Sequence, residues 1–246
     1  MKKLSVLLFF VVFIYSCKKS SNDPYSLPDS YSNQAVGASA RDMLTADKYS
    51  VINLQIEYMP GYDPDPGAIA DVVSYLSSIC NKTNITYTTT QISGNNGNNM
   101  SQNDVMAVEK NNRTAYASGG NLSIYILLTD GYNTDGNVLG FAYRNTSICL
   151  FGKNLFAHSG DFGQPTRTVL EGTVLEHELG HLLGLVNLST PMIASHQDVP
   201  HGYHCSNANC LMYYETEVTS GLVLGGGKII KLDANCLADL HANGGK

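Results

Sequence analysis

Two histidines stand four positions apart, His177 and His181, and Glu178 directly follows the first. Positions i and i+4 of a helix share one face, so both imidazoles can reach a single metal ion. Glu178 then points at a metal-bound water, where it can act as general base in a hydrolysis. A catalytic zinc takes three protein ligands and leaves one place for water. For the third ligand the residues downstream leave Asn187, His196, Asp198, His201 and His204 open.

The short His-Glu pattern is a weak signal by itself. It gains weight from its setting. Leu170, Val174, Leu175, Leu179, Leu182 and Leu183 give a broad apolar face to a helix over about 168–183. Polar side chains on a core helix must be used or satisfied. Gly184 then lets the chain leave the helix abruptly.

The helix needs a frame to hold it. Val51, Leu54, Ile56 and Tyr58 mark a strand that stops at Pro60-Gly61. Asp63 to Gly67 is a turn, and Ile69, Val72, Val73, Leu76 and Ile79 keep helical spacing up to Cys80. A Thr/Tyr-rich strand covers 85–92, a Gly/Asn loop 93–101, and a short helix Asp104 to Glu109. A buried strand follows at Leu122 to Leu128, then strands at Gly140 to Tyr143 and Ser147 to Phe151. Asp130 to Asn137 fails the calcium-loop template and reads as a polar turn. A Gly-rich turn at Gly225 to Gly227 precedes a last helix over Leu232 to His241. His158 and His241 read as lone surface histidines. The order predicts an α+β fold.

Composition narrows the function classes. The 246 residues carry a net charge of -6 and only 15% charged side chains, without a basic stripe, so nucleic acid is not the expected partner. The length suits one domain, expected as a monomer. Lys2 and Lys3 precede an apolar run from Leu4 to Ile14, which is too short to span a bilayer comfortably. Ser16-Cys17 then resembles a bacterial lipobox. The resemblance implies a lipoprotein signal peptide over 1–16, lipidation of Cys17, and export to the outer membrane or cell surface. Residues 17–48 read as a tether and 49–246 as the domain. With Cys17 acylated, five cysteines remain: Cys80, Cys149, Cys205, Cys210 and Cys236.

His177, Glu178, His181 and Gly184 resemble the start of the metzincin zinc-peptidase pattern. That pattern places its third ligand at 187, which is Asn here. The segment His204-Cys205 through Cys210 to Met212 is similar to the archaemetzincin arrangement. It implies His204 as the third zinc ligand, displaced from 187 by an insertion, and Met212 as a buried floor under the metal. Tyr214, two past the methionine, is the place where astacins and serralysins carry an oxyanion-supporting tyrosine; packing is the rival role. Archaemetzincins hold a second, structural zinc with a later cysteine pair. Only Cys236 stands there, so the expectation is no second zinc site and a Cys205–Cys210 disulfide.

The resemblance covers mainly 170–214. It implies a metzincin-like zincin, in which a mixed antiparallel and parallel twisted sheet packs on a backing helix and the His-bearing helix. An irregular C-terminal part with a methionine turn and a final helix would follow. The implied activity is zinc-dependent endopeptidase, with Glu178 as base and a protein or peptide substrate paired along 140–143 or 147–151. The alternatives are a non-catalytic binding lipoprotein with a degenerate zinc site, and an amidase of cell-wall peptides.

Overall fold

The computed structural model describes residues 23–218 and 228–246. The signal peptide, Cys17 and the 225–227 turn lie outside the described residues. Among those described, no helix is long and apolar enough to cross a membrane.

The first helix, α1 (Ala40–Leu44), leads into β1 (Val51–Tyr58). Asp65 caps α2 (Pro66–Ile79) by accepting from the Ala68 amide at 3.0 Å, and Pro66 occupies the first helical position. β2 (Asn84–Gln91), α3 (Gln102–Asn112), β3 (Asn121–Thr129), β4 (Gly140–Arg144) and β5 (Ser147–Phe151) follow. Then come α4 (Gly152–Ala157), α5 (Arg167–Leu182) and α6 (Ala234–Ala242).

The sheet order is β2-β1-β3-β5-β4. β1 pairs in parallel with β2 and β3, and β3 with β5; β4 alone is antiparallel, against β5. The sheet is thus mixed but mainly parallel, because helices carry the crossovers from β1 to β2 and from β2 to β3. β4 is an edge strand, whereas β5 is interior. The candidate substrate edge at 147–151 is therefore ruled out, since both sides of that strand are already paired.

Strand alternation splits the core. Leu122, Ile124, Ile126 and Leu128 of β3 face the larger cluster with Leu76, Leu170, Leu175 and Leu179. Tyr125 and Leu127 face a smaller cluster with Met59, Met100 and Phe151.

Residues 23–48 are not a free spacer. Met43 and Leu44 are fully buried in the larger cluster. Arg144 Nη2 donates to the Tyr25 carbonyl at 2.6 Å, and Asn145 Nδ2 to the Tyr31 carbonyl at 2.8 Å. This N-terminal strap clasps the turn between β4 and β5. The packed body therefore begins well before Tyr49.

Candidate metal centre

Thr166 caps α5 by accepting from the Val169 amide, and the helix runs through the core with His177 and Glu178 fully buried. Gly184 closes it at φ +71°. Its amide donates to His181 and that of Leu185 to Gly180, which satisfies the last carbonyls of the helix. Val186 (φ +54°) and Asn187 (φ +63°) are also left-handed, so three of four residues turn the chain sharply. Asn187 ends up exposed. The chain comes back beside the two helix histidines at His204.

The structure brings His177, His181 and His204 together, with one ligand atom of each within 4.8 Å of the others. Their ring centroids are 4.8, 5.3 and 5.0 Å apart. His177 Nδ1 lies 2.7 Å from the Leu211 carbonyl and His204 Nδ1 2.6 Å from the His201 carbonyl. A carbonyl only accepts, so each Nδ1 carries the proton and each Nε2 presents its lone pair. Nε2 of His177 and His181 are 3.1 Å apart. Two nitrogens bound tetrahedrally to one zinc would stand about 3.3 Å apart. Three imidazoles are a zinc donor set, and the residues present fit that ion.

Two further features were not read from the sequence. The Ala142 amide, on edge strand β4, donates to Glu178 Oε2 at 2.7 Å. Met212 packs beneath the helix so closely that a Cβ at Gly180 would collide with its sulfur. Gly180, the fourth residue of the His-Glu pattern, is thus fixed by the methionine turn. A glycine inside an otherwise strong helix was the available signal.

The other candidates lie elsewhere. His201 pairs with Asp198 at 2.7 Å, and its ring stacks on Tyr214 at 3.7 Å between centroids. The Tyr214 hydroxyl donates to Glu215 at 3.1 Å, which engages the group that an oxyanion role would need. Hydrogen bonding to Tyr213 and Glu215 pushes this phenol up to about 12.

His196 belongs to a second cluster, and here the disulfide expectation is corrected. The cysteines among the described residues are free thiols. Cys210 and Cys236 have sulfurs 3.6 Å apart, near the ~3.8 Å of two thiolates on one tetrahedral zinc. His196 Nδ1 is 3.4 Å from Cys205 Sγ and 3.9 Å from Cys236 Sγ. Its Nε2 is 2.7 Å from Asp239 Oδ2, an acceptor that turns Nδ1 toward the sulfurs as a lone pair. The hydrogen bond from Cys236 and the Asp233 amide hold the Cys210 thiol down to about 7. His196, Cys205, Asp233 and Cys236 each bring one ligand atom within 4.8 Å of the others, a group that could hold a metal ion, and Cys210 lies against it through Cys236. The inserted loop supplies His196 to a group that the sequence left incomplete near Cys236. Such a centre would tie that loop, the methionine turn and α6 together.

Two cavities flank β4. A polar one borders Gly140, Phe141 and Ala142 and is lined by Gln102, Asn133, Thr134 and Asp135. An apolar one borders Ala142 and reaches Glu178 and His181.

No family model and no curated protein matches the sequence. Solved structures do. Archaemetzincin from Archaeoglobus fulgidus, complexed with malonate, matches at 15% identity over 76% of this chain and 99% of that one, with a TM-score of 0.44. Metalloproteinase-II from Bacteroides fragilis matches at 12% identity over 88% of this chain and 58% of that one, with a TM-score of 0.46. Archaemetzincin from Methanopyrus kandleri matches at 17% identity over 79% of this chain and 96% of that one, with a TM-score of 0.50. The fold of this chain is similar to that of the Methanopyrus archaemetzincin.

Proposed function

We propose that the chain is a zinc-dependent endopeptidase. The observation that carries this reading is the convergence of three imidazoles, two of them oriented by backbone carbonyls at Nδ1, beside a buried carboxylate on the same helix. His177, His181 and His204 would hold a zinc ion, which would supply Lewis acidity and water of near-neutral pKa. Glu178 takes a proton from the attacking water and returns it to the leaving amine. The Ala142 amide holds one oxygen of that carboxylate in place. The exposed edge of β4 pairs an extended peptide by its backbone, which aligns the scissile carbonyl with Glu178. Met212 supports the helix from below and touches no reacting atom.

The lipobox-like Ser16-Cys17 supports an anchored, exported form acting on protein or peptide at a bacterial outer membrane or cell surface. Digestion of casein with Glu178→Ala as control tests the activity. If the variant cleaves as fast as the parent, the mechanism fails. A parent that holds zinc but cleaves nothing is instead a binding lipoprotein.

A further inference from the structure

We propose that Val36 on the N-terminal strap shapes the specificity of this site, as one wall of a subsite for an apolar peptide side chain next to the scissile bond. The proposal rests on the endopeptidase reading and names its substrate class.

The cavity beside Glu178 and His181 has a volume of about 300 Å³. Val36, Phe141, Ala142, Leu188 and Tyr203 make the rest of its wall. Three separate parts of the chain meet there: the strap, the edge strand, and the loop after the zinc helix. Among the described residues Glu178 is the only acidic group of the wall and is assigned to the chemistry, so a charged substrate side chain would lose water without gaining a dedicated partner. An apolar side chain of leucine or phenylalanine size would be desolvated at a gain.

Position fixes which substrate residue enters. The cavity borders both Ala142, whose amide already meets Glu178, and His181. A peptide paired along β4 with its scissile carbonyl near Glu178 therefore places an immediately neighbouring side chain here. The polar cavity shares Phe141 and Ala142 with this one and runs from them to Gly140 and Val138.

Val36 is held on both sides. The Gln34 carbonyl accepts from the Asn145 amide at 3.1 Å, and the Gly37 carbonyl accepts from Ser189 Oγ at 2.5 Å. Gly37, at φ +81°, lies so close to Leu188 and Gly184 that a Cβ would meet both within 3.4 Å. The strap thus delivers one valine to the cleft with its flanks pinned to the β4–β5 turn and to the loop after α5. Val36 itself is half-buried against the larger core cluster.

The test compares parent, Val36→Phe and Val36→Ala on peptides that differ only at the residues flanking the cleaved bond, with Leu, Phe, Ala, Gly or Asp there. The readout is the ratio of kcat/KM between peptides, which a loss of folded protein does not move. The parent is expected to favour Leu or Phe over Gly and Asp at one flanking position. Val36→Phe should lower the Leu-to-Ala ratio about tenfold by filling the cavity, and Val36→Ala should raise the Phe-to-Leu ratio. Where Val36→Phe does not fold, Val36→Ala decides. Ratios equal to the parent's in every folded variant overturn the subsite and leave the peptidase reading intact. A parent that cleaves no peptide overturns both.

Discussion

The Ala142 amide points away from β5 and into the Glu178 carboxylate, 2.7 Å distant. The sheet edge and the proposed base are therefore in direct register, and any peptide that extends the sheet runs past the carboxylate. The edge orients the group before a substrate arrives, a form of preorganisation that needs no movement of the helix.

Glu178→Gln keeps an oxygen for the Ala142 amide but cannot take a proton. It is expected to lower kcat/KM by about 10²- to 10⁴-fold while zinc content and thermal midpoint stay near those of the parent. Metal analysis alongside peptide kinetics checks this. Unchanged kinetics would remove Glu178 from the mechanism.

The two clusters predict different histidine phenotypes. His204→Ala should lose the three-histidine metal and all activity, and His196→Ala should lose the cysteine-held one. His201→Ala should lose neither. Cobalt substitution separates the sites, since only the cysteine cluster gives sulfur-to-cobalt charge-transfer bands. A His204→Ala protein that still carries its non-thiolate cobalt would reassign the third ligand.

Gly180→Ala forces a methyl group into the Met212 sulfur. Overpacking of this kind costs about 1–3 kcal/mol. Met212→Ala opens space, so the double variant should be less destabilised than the two single effects added. Denaturant unfolding of the four proteins measures the coupling; simple additivity would mean that the two residues do not meet.

Glu171 is buried on α5 beside Arg167 and accepts from the Asp65 amide at 2.8 Å. Burial pushes its carboxyl up from the usual 4.5 to about 7, against the pull of Asp65 and Arg167. Between those values the folded chain holds a proton that the unfolded chain has released. Its contribution to stability therefore falls as pH rises through that window and is level above it. Glu171→Gln should remove this slope, on the order of 1–3 kcal/mol, in urea titrations at pH 4.5 and 7.5. A parent with no slope to lose would contradict the assignment.

The regular elements were legible because each carries its own periodicity. The 3.6-residue spacing of α5 and the apolar runs of β1 and β3 are local facts, and local burial explains them. The third histidine of the cluster was not local. Asn187 sits where an abrupt return would place it, but the left-handed residues after Gly184 send the chain out instead. The strap was missed because its apolar residues, Leu27, Met43 and Leu44, are too sparse to show a period, and their partners lie far along the chain. The cysteine cluster was misread for a similar reason: Cys205 and Cys210 are near in sequence, but His196, Asp239 and Cys236 supply the geometry. α4 was overlooked because six residues after a strand give no pattern to count.

The strap also shortens the reach of the domain. Lys110 Nζ grips the Pro24 carbonyl at 2.6 Å. On the proposal that Cys17 carries the lipid, the leash runs only from 17 to 24, at most about 25 Å when fully extended. The domain could then patrol no more than a thin shell of space over the bilayer. Its diet would consist of polypeptides that come to the membrane, not those that diffuse past at a distance.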